Sequence, residues 1–186
     1  MRILLLGPHT QLIEFIEASG EDQVRQSEEP WSAALQRDAE YIISYDYRYL
    51  ITTDLPGINL HTSYLPWNRG AHPVFWAIHD GTPYGVTIHT LGTGIDTGSI
   101  LAQRRCTFDS QYDTLATAYT KIHRDMESLF KEQWVGIRAG RVRALPQSSE
   151  HRKADLDQYK EQLEARGWDT PVHEVQKWGH TDRRPR

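Results

Sequence analysis

The chain reads as an α/β protein built on a mostly parallel, twisted sheet, and three observations predict this. It begins with an apolar run, Arg2 to Leu6, of the kind that buries both faces of a strand. Further runs of that kind alternate with segments whose apolar residues recur at helical spacing. Turn residues stand between the two types, so the chain can cross back over a sheet after each strand.

Arg2 to Leu6 ends at Gly7-Pro8, which marks a turn. Thr10 to Ser19 then carries Leu12, Ile13, Phe15 and Ile16 as a helical stripe, with Gly20 as the stop. Val24 to Ser27 is expected to form a short strand. Pro30 to Ala39 reads as a short helix with proline in its first turn. Tyr41 to Tyr45 and Ile58 to His61 are the next strands. Pro73 opens a helix that runs to Asp80 and closes at Gly81. Val86 to Leu91 and Ile100 to Phe108 form two strands around a loop holding Gly92, Gly94, Asp96 and Gly98. The longest helix is expected from Asp113, as N-cap, to Arg138, ending near Gly140. Its stripe is Leu115, Ala118, Tyr119, Ile122, Met126, Leu129 and Ile137. A last helix, Ala154 to Arg166, shows a thinner stripe of Leu156, Tyr159 and Leu163. That stripe is available to its own core or to a second subunit.

With 186 residues, the length suits one domain with a small C-terminal appendage. Apolar residues make up 38% and charged residues 25%, which excludes a disordered chain. The formal charge of −4, with no basic stripe interleaved with aromatics, argues against nucleic acid as a partner. The basic end, Arg183 to Arg186, reads as a solvated tail. Cys106 is the only cysteine, so an intrachain disulfide and a cysteine-rich zinc site are both excluded. It lies in a strand-like run and reads as filler. No apolar stretch matches a signal peptide or a membrane span, so a cytoplasmic protein without a membrane partner is expected.

The chemistry concentrates in Asn59-Leu-His61, with Asp96 further on. On a strand, Asn59 and His61 project from the same face, two residues apart. Acyl transfer to an amine needs a donor for the oxyanion and a group that moves protons near neutral pH. An amide supplies the first and an imidazole the second. A carboxylate orients the imidazole and favours its charged form. Each residue also has a structural explanation: a hydrogen-bonded strand-end histidine, a turn asparagine after Gly57-Ile58, and an aspartate making a side-chain turn.

The ordered run Asn59-Leu-His-Thr-Ser-Tyr-Leu-Pro66, then Arg69-Gly70, Gly85-Val-Thr87 and Asp96-Thr-Gly98, closely resembles the formyltransferases that use 10-formyltetrahydrofolate. The likeness is specific over about residues 41 to 108 and weaker to about 160. It implies a Rossmann-like formyltransferase domain at 1–145, followed by a C-terminal helical extension and tail at 146–186. It also implies that Asn59, His61 and Asp96 are the catalytic trio, and that 10-formyltetrahydrofolate is the co-substrate. Tyr47, Arg48, Tyr49 and Leu50 fall on one wall of the implied folate slot. Gly92, Thr93, Gly94 and Ile95 fall on the other, and Asn59 lies beside the cofactor. For the tyrosines, core packing and surface cover are equal alternatives.

The departures from the pattern bear on the acceptor. Thr62 and Tyr64 replace the family's usual Pro and Leu without touching the trio. The stretch before Tyr41 is short, so at least one strand-helix unit is missing or eroded and the N-terminal half is shortened. Gly7-Pro-His-Thr10 replaces a Gly- and Ser-rich phosphate loop, and Pro8 has no N–H to donate, which speaks against glycinamide ribonucleotide. Only about 40 residues follow Leu145, which disfavours the tRNA enzyme. Glu150 to Asp157 resembles the segment by which sugar N-formyltransferases leave their catalytic core; a charged helix start is its plain alternative.

A nucleotide-linked amino sugar is therefore the expected acceptor, and a homodimer is compatible with the resemblance. The rivals are another small amine of hydroxyornithine type, hydrolysis of formylfolate, and a non-catalytic folate-binding protein. Nine histidines are present, but none form a close helical pair, and His61, His72 and His89 lie in separate elements, so a metal site is rejected. His72 and His89 read as supporting or polar packing residues. Trp67 and Trp76 stand open between walling the acceptor pocket and packing the core.

Overall fold

The structure, a computed structural model, describes residues 1–148 and 156–182. Its strands are β1 (Arg2–Leu6), β2 (Gln23–Ser27), β3 (Tyr41–Tyr45), β4 (Gly57–His61), β5 (Gly85–Thr90) and β6 (Ile100–Arg105). Its α-helices are α1 (Gln11–Glu17), α2 (Pro73–Asp80), α3 (Leu115–Arg138), α4 (Lys160–Glu164) and α5 (Val172–Asp182). The strands form one sheet in the order β2-β1-β3-β4-β5-β6. β1 pairs in parallel with β2 and with β3, and β3 in parallel with β4. The β5–β6 hairpin is antiparallel: Thr90 N–H donates to Ser99 O at 2.9 Å, and Cys106 N–H to Tyr84 O at 3.0 Å. The expected α/β architecture is present, with the antiparallel pair making the sheet mixed.

The chain divides into two units. The first comprises Met1–His61, Ile88–Ala102 and Phe130–Pro146. Strands β1 and β3 are apolar because both faces are covered: Leu4, Leu5, Leu6, Ile42 and Ile43 are fully buried. Trp31, Leu35, Tyr47, Ile51 and Leu91 pack on Leu4, Leu6 and Ile42. Phe15 meets Phe130 edge-on at 6.0 Å, and Tyr41 meets Trp134 in the same way at 6.0 Å. A fully buried ring such as Phe130 contributes about 1.5–3 kcal/mol. Asp22 receives both the Nε–H (2.6 Å) and the Nη2–H (2.8 Å) of Arg138, which hold its carboxyl below the usual carboxylate range.

The expected helix at Pro30–Ala39 is absent. Leu35, Arg37 and Ala39 donate to Ser32, Ala34 and Gln36, which are three-residue steps of consecutive turns. Asp38 then turns left-handed, with φ 66°, which stops any helix from propagating. β2 therefore reaches β3 through turns alone.

The second unit comprises Thr62–Thr87, Gln103–Leu129 and the described part of Gln147–Arg186. Phe75, Trp76, His79, Tyr159 and Trp178 form its aromatic cluster. Trp76 is 4% exposed, so of its two readings the core one holds. Tyr159 Oη lies 2.6 Å from His79 Nε2, and His79 Nδ1 lies 2.7 Å from Asp80 Oδ1. His72 sits at φ 52° just before α2, with its ring 6.3 Å from that of Trp168.

Three further expectations change in this unit. Asp113 does not cap α3; Thr114 does, with its Oγ1 accepting Thr117 N–H at 3.3 Å while Thr117 Oγ1 accepts Thr114 N–H at 2.9 Å. Asp113 instead takes the Lys121 ammonium at 2.8 Å. In place of one helix over 154–166, a 3₁₀ turn at Asp157–Tyr159 precedes α4, with Leu156 and Tyr159 buried. Ala154, Asp155 and most of the Glu150–Asp157 octet lie outside the described residues, as does the Arg183–Arg186 tail. Finally, α5 was not anticipated. Its Val172 and Val175 are fully buried, and a Cβ on Gly179 would stand 1.6 Å from His79 O, so α5 approaches α2 at backbone distance.

Candidate active site

The trio gathers in the first unit. Asn59 and His61 lie on β4, the last strand of the parallel set, two residues apart as a shared strand face requires. Asp96 arrives from the loop after β5 with φ 52°, a left-handed conformation that an aspartate tolerates and a β-branched residue resists. Thr97 Oγ1 binds Gly94 at both its N–H (3.1 Å) and its O (3.0 Å), which tightens that loop. A Cβ on Gly98 would stand 1.6 Å from Thr90 O, so only glycine permits the closure.

Asn59 Nδ2–H donates to Asp96 Oδ1 at 3.0 Å. His61 Nε2 lies 3.6 Å from Asp96 Oδ2. One carboxylate thus holds the amide with one oxygen and faces the imidazole with the other. The His61 and Asp96 side chains are 9% and 11% exposed, shielded enough for charge interactions to count.

His89, on β5, completes the group more directly than its sequence position suggests. Its Nε2 is 3.2 Å from Asn59 Nδ2 and 3.5 Å from Asp96 Oδ1, and its Nδ1 is 2.8 Å from Thr90 O. The antiparallel arrangement across β4 accounts for this: Leu91 N–H donates to Gly57 O at 3.0 Å, which brings position 89 opposite position 59.

The positions assigned to the folate slot are also in the first unit but differ in kind. Tyr47 is half-buried on the core, with its hydroxyl donating to Glu29 O at 2.6 Å, so its side chain packs. Tyr49, Leu50 and Ile95 expose apolar surface, at 37%, 61% and 39%. Arg48, Gly92 and Thr93 are exposed and Gly94 is half-buried. Elsewhere, burial pushes the Cys106 thiol up to about 12, so it is no nucleophile at neutral pH. No helix among the described residues is long and apolar enough to cross a membrane.

An amide, an imidazole and a carboxylate placed in this way on an α/β sheet are suited to acyl transfer. The formyl transferase family model matches residues 9–133, and the chain belongs to that family. Among curated relatives, the dTDP-4-amino-4,6-dideoxyglucose formyltransferase of Mycobacterium tuberculosis is 34% identical over 104 residues, 54% of this chain and 44% of the relative. The methionyl-tRNA formyltransferase of Paraburkholderia xenovorans is 37% identical over 95 residues, 50% of this chain and 29% of that protein. These alignments therefore span less than half of the relatives' length. Among solved structures, the formyltransferase PseJ from Anoxybacillus kamchatkensis, in complex with UDP-4,6-dideoxy-4-formamido-L-AltNAc and tetrahydrofolate, aligns with a TM-score of 0.85. It is 41% identical, over 96% of this chain and 100% of that one. The HypX protein of Aquifex aeolicus, bound to tetrahydrofolate, shares the fold at a TM-score of 0.69 and 20% identity.

Proposed function

We propose that this protein transfers the formyl group of 10-formyltetrahydrofolate to the primary amine of a nucleotide-linked amino sugar. The observation that carries the reading is the single carboxylate of Asp96 holding the Asn59 amide at 3.0 Å while facing His61 at 3.6 Å. The neutral amine attacks the formyl carbon, and the carbonyl becomes an oxyanion that an Asn59 N–H stabilises. His61 takes the amine proton and delivers it to N10 as the C–N10 bond breaks, releasing the formamide and tetrahydrofolate. Asp96 orients His61 and a water, and favours the transient imidazolium.

The likeness to PseJ along almost the whole of both chains supports folate as the donor and a nucleotide sugar as the acceptor. The exposed apolar surface of Tyr49, Leu50 and Ile95 suits the flat, apolar faces of a pterin, with Arg48 and the 92–94 backbone at its edges. On this reading residues 1–145 act as the catalytic domain and 146–186 as an extension. The lone cysteine agrees with a cytoplasmic setting.

The test is tetrahydrofolate release with a panel of UDP- and dTDP-linked amino sugars. His61→Ala or Asn59→Ala should abolish it while circular dichroism stays unchanged; a wild-type rate in either variant defeats the assignment. Stoichiometric formate without any acceptor would convert the reading to hydrolysis.

A further inference from the structure

Asn59 has a single NH₂ group, and both of its hydrogens are engaged: one faces Asp96 Oδ1 at 3.0 Å, the other His89 Nε2 at 3.2 Å. The second contact is a hydrogen bond only if Nε2 carries a lone pair, since an N–H there would oppose a donor with a donor. The other ring nitrogen decides this. His89 Nδ1 stands 2.8 Å from Thr90 O, a backbone carbonyl that only accepts, so Nδ1 carries the proton. In the neutral ring this leaves Nε2 as the acceptor, 3.2 Å from Asn59 Nδ2 and 3.5 Å from Asp96 Oδ1. The ring is fixed in place, since its side chain is 3% exposed. We propose that His89 is a positioning residue for Asn59: its Nδ1-protonated tautomer holds the second amide hydrogen until the formyl oxygen takes it.

The arrangement answers a difficulty in the proposed reaction, on which this inference rests. An amide with both hydrogens committed has none left for an oxyanion, so one bond must yield. The bond to Asp96 is charge-assisted and the shorter of the two; the bond to neutral His89 is longer and weaker. His89 is the partner that releases. Until then it keeps the amide oriented, so the hydrogen is presented to substrate without reorganisation. Asp96 alone leaves the second hydrogen to solvent, and water competing for it would weaken the donor as charge develops.

Two measurements test this. The first needs no substrate: ¹⁵N spectra of the imidazoles, with His89 assigned by its loss in His89→Gln, should show Nδ1 protonated and Nε2 bare at neutral pH. An Nε2–H tautomer or an imidazolium there overturns the inference even if the enzyme proves inactive on every amine. The second compares His89→Phe, which fills the space without an acceptor, with His89→Gln, whose amide oxygen can occupy the Nε2 position. Phe should lower kcat about 10- to 100-fold, less than the roughly 10²–10³ lost with an oxyanion donor outright, and leave the KM for folate within about twofold. Gln should recover to within about threefold of wild type. A fully active Phe variant, or Gln no better than Phe in a folded protein, overturns the role of His89 while leaving the trio intact. An inactive wild type overturns the proposed function alone.

Discussion

The polar corner of the first unit and the aromatic cluster of the second are held together by different means. At the corner, Asn59 donates to Asp96 at 3.0 Å and stands 3.2 Å from His89 Nε2, while Asp96 faces His61 at 3.6 Å, so the type of each atom matters. In the cluster, Phe75, Trp76, Tyr159 and Trp178 meet at ring separations of 5.2 to 6.4 Å, where shape and volume count and atom identity counts little. The first arrangement tolerates almost no change of residue type; the second tolerates swaps that conserve volume. Chemistry is written in short fixed strings, packing in loose ones.

Substitutions can break that contrast or sharpen it. Asp96→Asn, which keeps the shape but removes the charge, should lower the transfer rate about 10²–10⁴-fold in steady-state kinetics, with thermal stability nearly unchanged. Gly179→Ala in the cluster unit should do the reverse. Its Cβ meets His79 O at 1.6 Å, and chemical denaturation should show a loss of about 3 kcal/mol, the upper end for overpacking.

Asp22→Asn, away from both regions, should cost about 2 kcal/mol through its weakened bonds to Arg138. Because Arg138 lowers the folded-state pKa of Asp22, the wild-type contribution is complete above the ordinary value of 3.8. It disappears as pH falls through the lower folded value. Acid titration should therefore show the gap between wild type and Asp22→Asn closing below about pH 4. Cys106→Ala should be the mildest change, with the rate within about twofold and stability within about 1 kcal/mol. A large rate loss there would show chemistry outside the corner.

The same contrast explains what could be read in advance. The strands β1, β3 and β4 and the helix α2 were legible because apolar runs bounded by Gly and Pro leave few alternatives. The trio was legible because its residues sit in an ordered string. Thr114 hid behind the better-capping Asp113, since the choice depended on where Lys121 would place its ammonium. The turns after Pro30 carried a helical pattern too short to nucleate without packing. α5 offered only Val172, Val175 and Gly179, and Gly179 reads as a helix breaker until α2 is seen at backbone distance. His89 could not be assigned because its role depends on a neighbour across the sheet.

The Thr90 carbonyl has a part no side chain can take over. It fixes the proton of His89, and it is also the surface against which Gly98 closes to deliver Asp96. Every residue type supplies a carbonyl, so no exchange of side chain at position 90 can delete this group. Mutation reaches it only indirectly, by giving Gly98 a Cβ or by removing the Thr90 hydroxyl that accepts Ser99 N–H at 2.9 Å. The placing of the His89 proton is thus entrusted to a main-chain atom, and its weak point lies one loop away, at Gly98.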